Sequence, residues 1–167
     1  GQLLGAKTVA VVVIEALQVA VLVVEGLLLG FRFSGPTVGA ALADSIERVR
    51  PDVIVEDNVL AFPALVTAGV PFVRIVSCNP LEVPGEHIAP VFSGLGKDDR
   101  EGWVAFRAEY DRTHRALWQA FDAWVQEQGA PALPELEFIH EGDENLYVYP
   151  EVLDYVEFDA DMLVRRL

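Results

Sequence analysis

RPDVIVEDNVLAFPALVTAGVPFVRIVS, residues Arg50 to Ser77, decides the fold of this chain. Two short apolar runs, Val53–Val55 and Phe72–Val76, flank an Ala/Leu/Val segment that closes at Gly69. Runs of β-branched and aromatic residues bounded by polar residues or proline carry the signature of strands buried on both faces. Between them, Pro63 stands where a first helical turn accepts it, and Gly69 where a helix stops. Strand, helix, strand predicts a right-handed βαβ unit with a parallel pair. Ligands of such sheets meet the carboxyl ends of the strands. Those ends are Glu56-Asp57-Asn58 and Ser77-Cys78-Asn79, all polar, so chemistry is to be sought there.

Upstream, Thr8–Ile14 has the β-branched composition of a buried strand. Thr8–Leu29 is long and apolar enough to raise a membrane span. Against it, Glu15, Gln18 and Glu25 share one face of a helix, as on a helix packed against a sheet. A signal peptide would want a more basic start than Lys7 alone. The reading is a strand followed by a helix, Glu15–Leu29, with Gly30 as its stop. The alphabet of residues 1–30 is narrow, and no motif is taken from it. Phe31–Phe33 reads as a short strand, and Thr37–Arg50 as a helix with Val38, Ala41, Leu42, Ser45, Ile46 and Val49 on one face. Pro51 ends it. There is no phosphate loop: neither Gly-x-x-x-x-Gly-Lys-Ser/Thr nor Gly-x-Gly-x-x-Gly occurs after a strand. The order β-α-β-α-β-α-β predicts an α/β fold, a Rossmann-like parallel sheet with helices on both faces.

Downstream, Ser77–Gly96 is a long loop rich in Pro and Gly that leaves a strand at its carboxyl end. Such loops in compact domains are functional or disordered. It carries Ser77, Asn79, Glu86 and His87. His87 is a candidate general base, and an ordinary exposed loop histidine is the plainer reading. The longest helix spans about Asp98–Gln128, with Trp103, Phe106, Tyr110, Leu117, Phe121 and Trp124 recurring at steps of three and four. That stripe reads as core packing rather than a stacking platform for bases. His114, at its skipped turn, is either a polar residue facing a cleft or a satisfied surface histidine. Leu146–Tyr149 reads as a further strand, and Phe158–Leu167 as a short helix lying on a surface.

The 167 residues, 52% hydrophobic, suffice for one domain spanning residues 1–167. A net charge of -14 repels phosphate backbones and anionic lipid, so nucleic acid is excluded as a partner and a membrane disfavoured. The bland reading of that charge is solubility. The single cysteine, Cys78, excludes an internal disulfide and fits a reducing, cytoplasmic location. His87, His114 and His140 have no neighbour at metal-ligand spacing, so no metal is expected.

Five pieces of the sequence, in order, carry a resemblance: Pro51–Asp57, Ala68–Val73, Ser77–Pro80, Gln128–Pro131 and Leu146–Tyr155. From Arg50 onward the chain resembles the amino-terminal, acceptor-side half of a bacterial GT-B glycosyltransferase, of the macrolide-type UDP-glycosyltransferase group. The resemblance implies transfer of a sugar from a nucleotide donor, UDP- or dTDP-linked, to a hydroxyl of a hydrophobic natural product, with inversion and without a metal. It implies Asp57 as the aspartate that orients a catalytic base; the plain alternative is a helix N-cap near Ala61. It implies an acceptor surface on the Ser77–Gly96 loop and the long aromatic helix, with Ser77, Asn79, His87 and His114 as candidate acceptor-binding residues. Two departures limit it. Ile14 runs straight into Glu15-Ala16-Leu17, where the family has Gly-x-x-Gly-His, so its catalytic histidine has no counterpart. The donor-phosphate motif of the carboxyl-terminal half is absent, so no cofactor or donor is expected to be held by this chain. The expectation is an acceptor-side domain that partners a carboxyl-terminal donor-binding domain and is inactive alone. The rival from another class is a non-catalytic α/β interaction domain that docks a protein partner.

Overall fold

The computed structural model describes residues 9–12, 35–57, 59–77, 80–82, 88–149 and 164–166. Its elements are β1 (Val9–Val12), α1 (Gly35–Val49), β2 (Val53–Glu56), α2 (Pro63–Val66), β3 (Phe72–Val76), α3 (Arg100–Glu127), β4 (Glu144–Tyr147) and β5 (Val164–Arg166). The five strands pair in chain order, each parallel to the next. The chain is therefore a mixed α/β protein with a parallel sheet. None of the described helices is long and apolar enough to cross a membrane.

Local chemistry explains the elements around the central unit. The β-branched residues of Val53-Ile54-Val55 favour the extended backbone. Pro63 sits in the first turn of α2, where its missing N–H costs nothing. Gly69, at φ 72°, turns the chain back toward β3 in a conformation that a Cβ would oppose. Ile54 pairs with Phe72 in register, so both point to one face of the sheet. On that face Ile54 and Phe72 meet Leu42 of α1 and Phe62 and Leu65 around α2, all buried. Burying each of these side chains stabilises the fold by roughly 1.5–3 kcal/mol.

A parallel sheet that always steps the same way through right-handed crossovers carries those crossovers on one face. α1 and α2 accordingly share the Ile54 face. A helix on the other face requires a reversal of direction. The helix read at Glu15–Leu29 and the strand read at Phe31–Phe33 lie outside the described residues.

α3 is capped by Asp99, whose carboxylate accepts from the Gly102 N–H at 2.9 Å. It ends at Gly129, φ 85°. Phe121 and Val125 of its last turns form a second buried cluster with Ala61, Ala130 and Leu133. Asp122 ties the returning connector down by accepting the Leu133 N–H at 2.7 Å.

Three expectations change. The apolar stripe of α1 is narrower than its periodicity, because Ala41 and Val49 are exposed whereas Leu42 and Ile46 pack on the core. The fourth strand lies two residues earlier, at Glu144–Tyr147, because Asn145 is buried and accepts the Gly142 N–H at 3.0 Å. Residues 164–166, read as part of a helix, form β5 instead, paired with Asn145–Tyr147. An edge of β4 with unmet backbone groups outweighs a weak apolar periodicity.

Candidate functional site

All strands being parallel, their carboxyl ends open on one edge of the sheet. Asp57 is the first residue past β2, Ser77 the first past β3, and Tyr149 the second past β4. The Ser77 hydroxyl donates to Asp57 Oδ1 at 2.5 Å. The Tyr149 hydroxyl donates to the Ser77 carbonyl oxygen. One carboxylate and two hydroxyls thus form a chain across three strand ends. Asp57 caps no helix: the N-cap of α2 is Phe62, with no side-chain cap, and the Asp57 carboxylate turns toward Ser77 instead. Its bond to Ser77 fixes one oxygen and, among the described residues, leaves Oδ2 to accept from a further donor. A carboxylate so held can orient an N–H or O–H group.

Beneath α3 lies a cavity of about 450 Å³. Its walls come from Leu81 and Glu82, from residues 88–92, from Phe106, Arg107 and Tyr110 of α3, and from the connector 135–139. Trp103 holds the loop to the helix: it is 1% exposed, and its indole N–H donates to the Gly96 carbonyl at 3.0 Å. Arg74 stands at the sheet side of the cavity, 3% exposed, paired with Glu82 at 2.9 Å and Glu141 at 3.7 Å. A buried guanidinium persists only with such partners.

Two cavity groups are electrostatically perturbed. Burial and the neighbouring Glu141 hold the Glu137 carboxyl above its usual range, with Arg74 offsetting part of the rise. Burial, with a smaller contribution from Glu137, holds the Tyr110 phenol above its usual range, so it stays a neutral donor. Glu135 is tied to Arg115 at 2.8 Å.

The structure brings Asp57 and Ser77 together. Asn79 and His87 lie outside the described residues. His114 does not line the cavity: its ring stacks on Tyr110 with centroids 4.0 Å apart, and Nδ1 lies 3.1 Å from the Tyr110 carbonyl. Sequence reasoning missed three residues. Tyr149 carried a signal, an aromatic with a polar tip just beyond a strand's carboxyl end. Glu137 and Tyr110 carried none, because their meeting depends on how the connector folds over α3. Among the described residues, no three His, Cys, Asp or Glu side chains are grouped to hold a metal ion. Neither the protein-family models nor the curated proteins compared with the chain give a match.

Proposed function

We propose that this chain is the acceptor-side domain, Rossmann-like and equivalent to the amino-terminal half of a GT-B fold, of an inverting, metal-independent glycosyltransferase. It transfers a sugar from a UDP- or dTDP-linked donor to a hydroxyl of a hydrophobic natural product. The observation that carries the reading is the Asp57–Ser77 bond at the carboxyl edge of a parallel sheet. A carboxylate held there, engaged with a side chain rather than a helix end, suits the role of orienting a base toward an acceptor hydroxyl. The mainly apolar cavity between the loop after β3 and α3 supports it, since it offers the acceptor's skeleton a place to bury.

A thermal-shift titration with kaempferol, a polyhydroxylated aromatic aglycone, tests the reading. The expected result is a saturable rise in melting temperature, by linkage of binding to folding. Asp57→Ala is expected to shrink that rise by removing the carboxylate that fixes Ser77 at the acceptor edge. A second reading, a module that docks a protein partner, is favoured by the exposure of Phe92 and Val104, at 69% and 68%. It gains if no small molecule shifts the melting curve and sinks if kaempferol does so in an Asp57-dependent way.

A further inference from the structure

The cavity under α3 is apolar over most of its wall, but its charges are unevenly matched. Arg74, Glu82, Arg107, Glu135 and Glu137 all line it. Arg74 is paired with Glu82, and Glu135 with Arg115. Glu137 forms no ion pair among the described residues. Beside it stands a second carboxylate, Glu141, which shares Arg74 with Glu82. So around Glu137 three carboxylates face one guanidinium. The remaining cation of the wall, Arg107, is an exposed residue whose guanidinium lies 5.9 Å from the Trp103 ring. The Tyr110 hydroxyl adds a neutral polar group and cannot compensate the acids.

We propose that the cavity takes an apolar, hydroxyl-bearing molecule that also carries a protonated amine, and that the amine lies against Glu137. This rests on the acceptor-side reading and narrows it to basic acceptors. The apolar skeleton would lie against Phe106, Ile88, Leu136 and Phe138. The ammonium donates to the half-buried carboxylate and offsets the excess of negative charge there. A carboxylate-bearing ligand would add a fourth anion to the same corner. A neutral hydroxyl could donate to Glu137 but would leave the excess charge in place. Burial keeps the Glu137 carboxyl above its usual range, and an adjacent cation is the partner that reverses that effect.

The test uses the full chain and two probes that share a naphthyl ether and a hydroxyl. Propranolol carries a protonated secondary amine; N-acetylpropranolol is uncharged. Binding is followed by calorimetry and thermal shift. Propranolol is expected to bind about tenfold more tightly, as for a charge-assisted hydrogen bond in a partly buried site. In Glu137→Gln that preference is expected to fall to about twofold or less, with N-acetylpropranolol unchanged. Glu109→Gln, an exposed acid paired with Arg112 and absent from the cavity wall, controls for general attraction by an acidic protein. If it weakens propranolol as much as Glu137→Gln does, the local site is overturned. Equal binding of both probes overturns the amine preference and leaves the acceptor cavity standing. If neither probe binds while kaempferol does, the inference falls alone. If none of the three binds, the acceptor-side reading falls with it.

Discussion

The strand-end edge and the cavity beneath α3 are built in opposite ways. At the edge, Asp57, Ser77 and Tyr149 satisfy one another through hydrogen bonds anchored on three adjacent parallel strands. In the cavity, Glu137 lies half-buried on a connector, without an ion pair among the described residues, and its ionised form is disfavoured by its surroundings. Hydrogen bonds that are already made fix a side chain's direction before any ligand arrives, which suits orientation of a reacting group. A polar group left poorly matched costs stability until something binds, which suits recognition. The edge should therefore respond to damage of the sheet, and the cavity to damage of α3 and its loop.

Trp103→Ala should produce the largest effect and strike the cavity alone. Trp103 is fully buried, and its N–H ties Gly96 to α3. Truncating a buried tryptophan costs about 3–5 kcal/mol. The loop 88–96 would lose its fastening, and with it the cavity wall at residues 88–92. Urea unfolding should show that loss, while Trp103→Phe, which keeps packing and loses the N–H donor, should lose only about 1 kcal/mol. A cavity probe that still bound Trp103→Ala at wild-type affinity would show that the loop does not depend on this anchor.

Gly142→Ala should strike the sheet that carries the edge instead. A Cβ there would come within 2.7 Å of the Glu144 carbonyl, 2.8 Å of the Arg74 nitrogen and 2.9 Å of the Phe72 carbonyl. All three are backbone atoms of the β3–β4 pair, so relief requires the strands to part. The same crossing is locked by Asp143, which accepts the Phe72 N–H at 2.8 Å and donates its own N–H to the Phe72 carbonyl at 2.8 Å. Overpacking of this kind costs about 1–3 kcal/mol. Because β3 leads into Ser77 and β4 into Tyr149, amide exchange at the Ser77 end should quicken in this variant, while exchange in α3 stays as it was. Equal protection loss in both places would erase the distinction between the two regions.

The edge was largely legible in the sequence and the cavity was not. Val53–Val55 is a continuous β-branched run, and Phe72–Val76 is β-branched and aromatic apart from Arg74, so their composition names the strands and their ends name Asp57 and Ser77. α3 was legible for the same reason, a long repeat with a cap at Asp99 and a stop at Gly129. The aromatic stripe was only half core. Trp103 and Phe121 are buried, whereas Phe106 and Tyr110 line the cavity, and periodicity cannot tell a wall from a core. Glu137 sits in a stretch, Pro134-Glu135-Leu136-Glu137-Phe138, that reads only as a connector. Its proximity to Arg74 and Glu141 arises from tertiary packing, with Leu136 held at φ 60°. β5 failed to show for a related reason, since three residues that pair with an available edge need no pattern of their own.

The smallest predicted effect is also the most direct test of why the cavity differs from the edge. In the folded chain the Glu137 carboxyl titrates above its usual range, through burial first and Glu141 second. A carboxyl raised on folding binds its proton more tightly in the native state than in the unfolded one. Its contribution to stability is thus complete below the unfolded value and is lost as pH rises through the folded one. At pH 7 the ionised group opposes folding, and at pH 4 it does not. Glu137→Gln should therefore raise the melting temperature at pH 7 by on the order of 2 °C, the group being too exposed for more. At pH 4, where the wild-type carboxyl is protonated and as neutral as the amide, the two proteins should melt together. Ser77→Ala, at the edge, should instead lower the melting temperature at pH 7, because it removes the hydrogen bond to Asp57. Melting curves at the two pH values separate the cases. A Glu137→Gln variant less stable than wild type at pH 7 would mean that the carboxylate is already well matched, and the cavity would then resemble the edge after all.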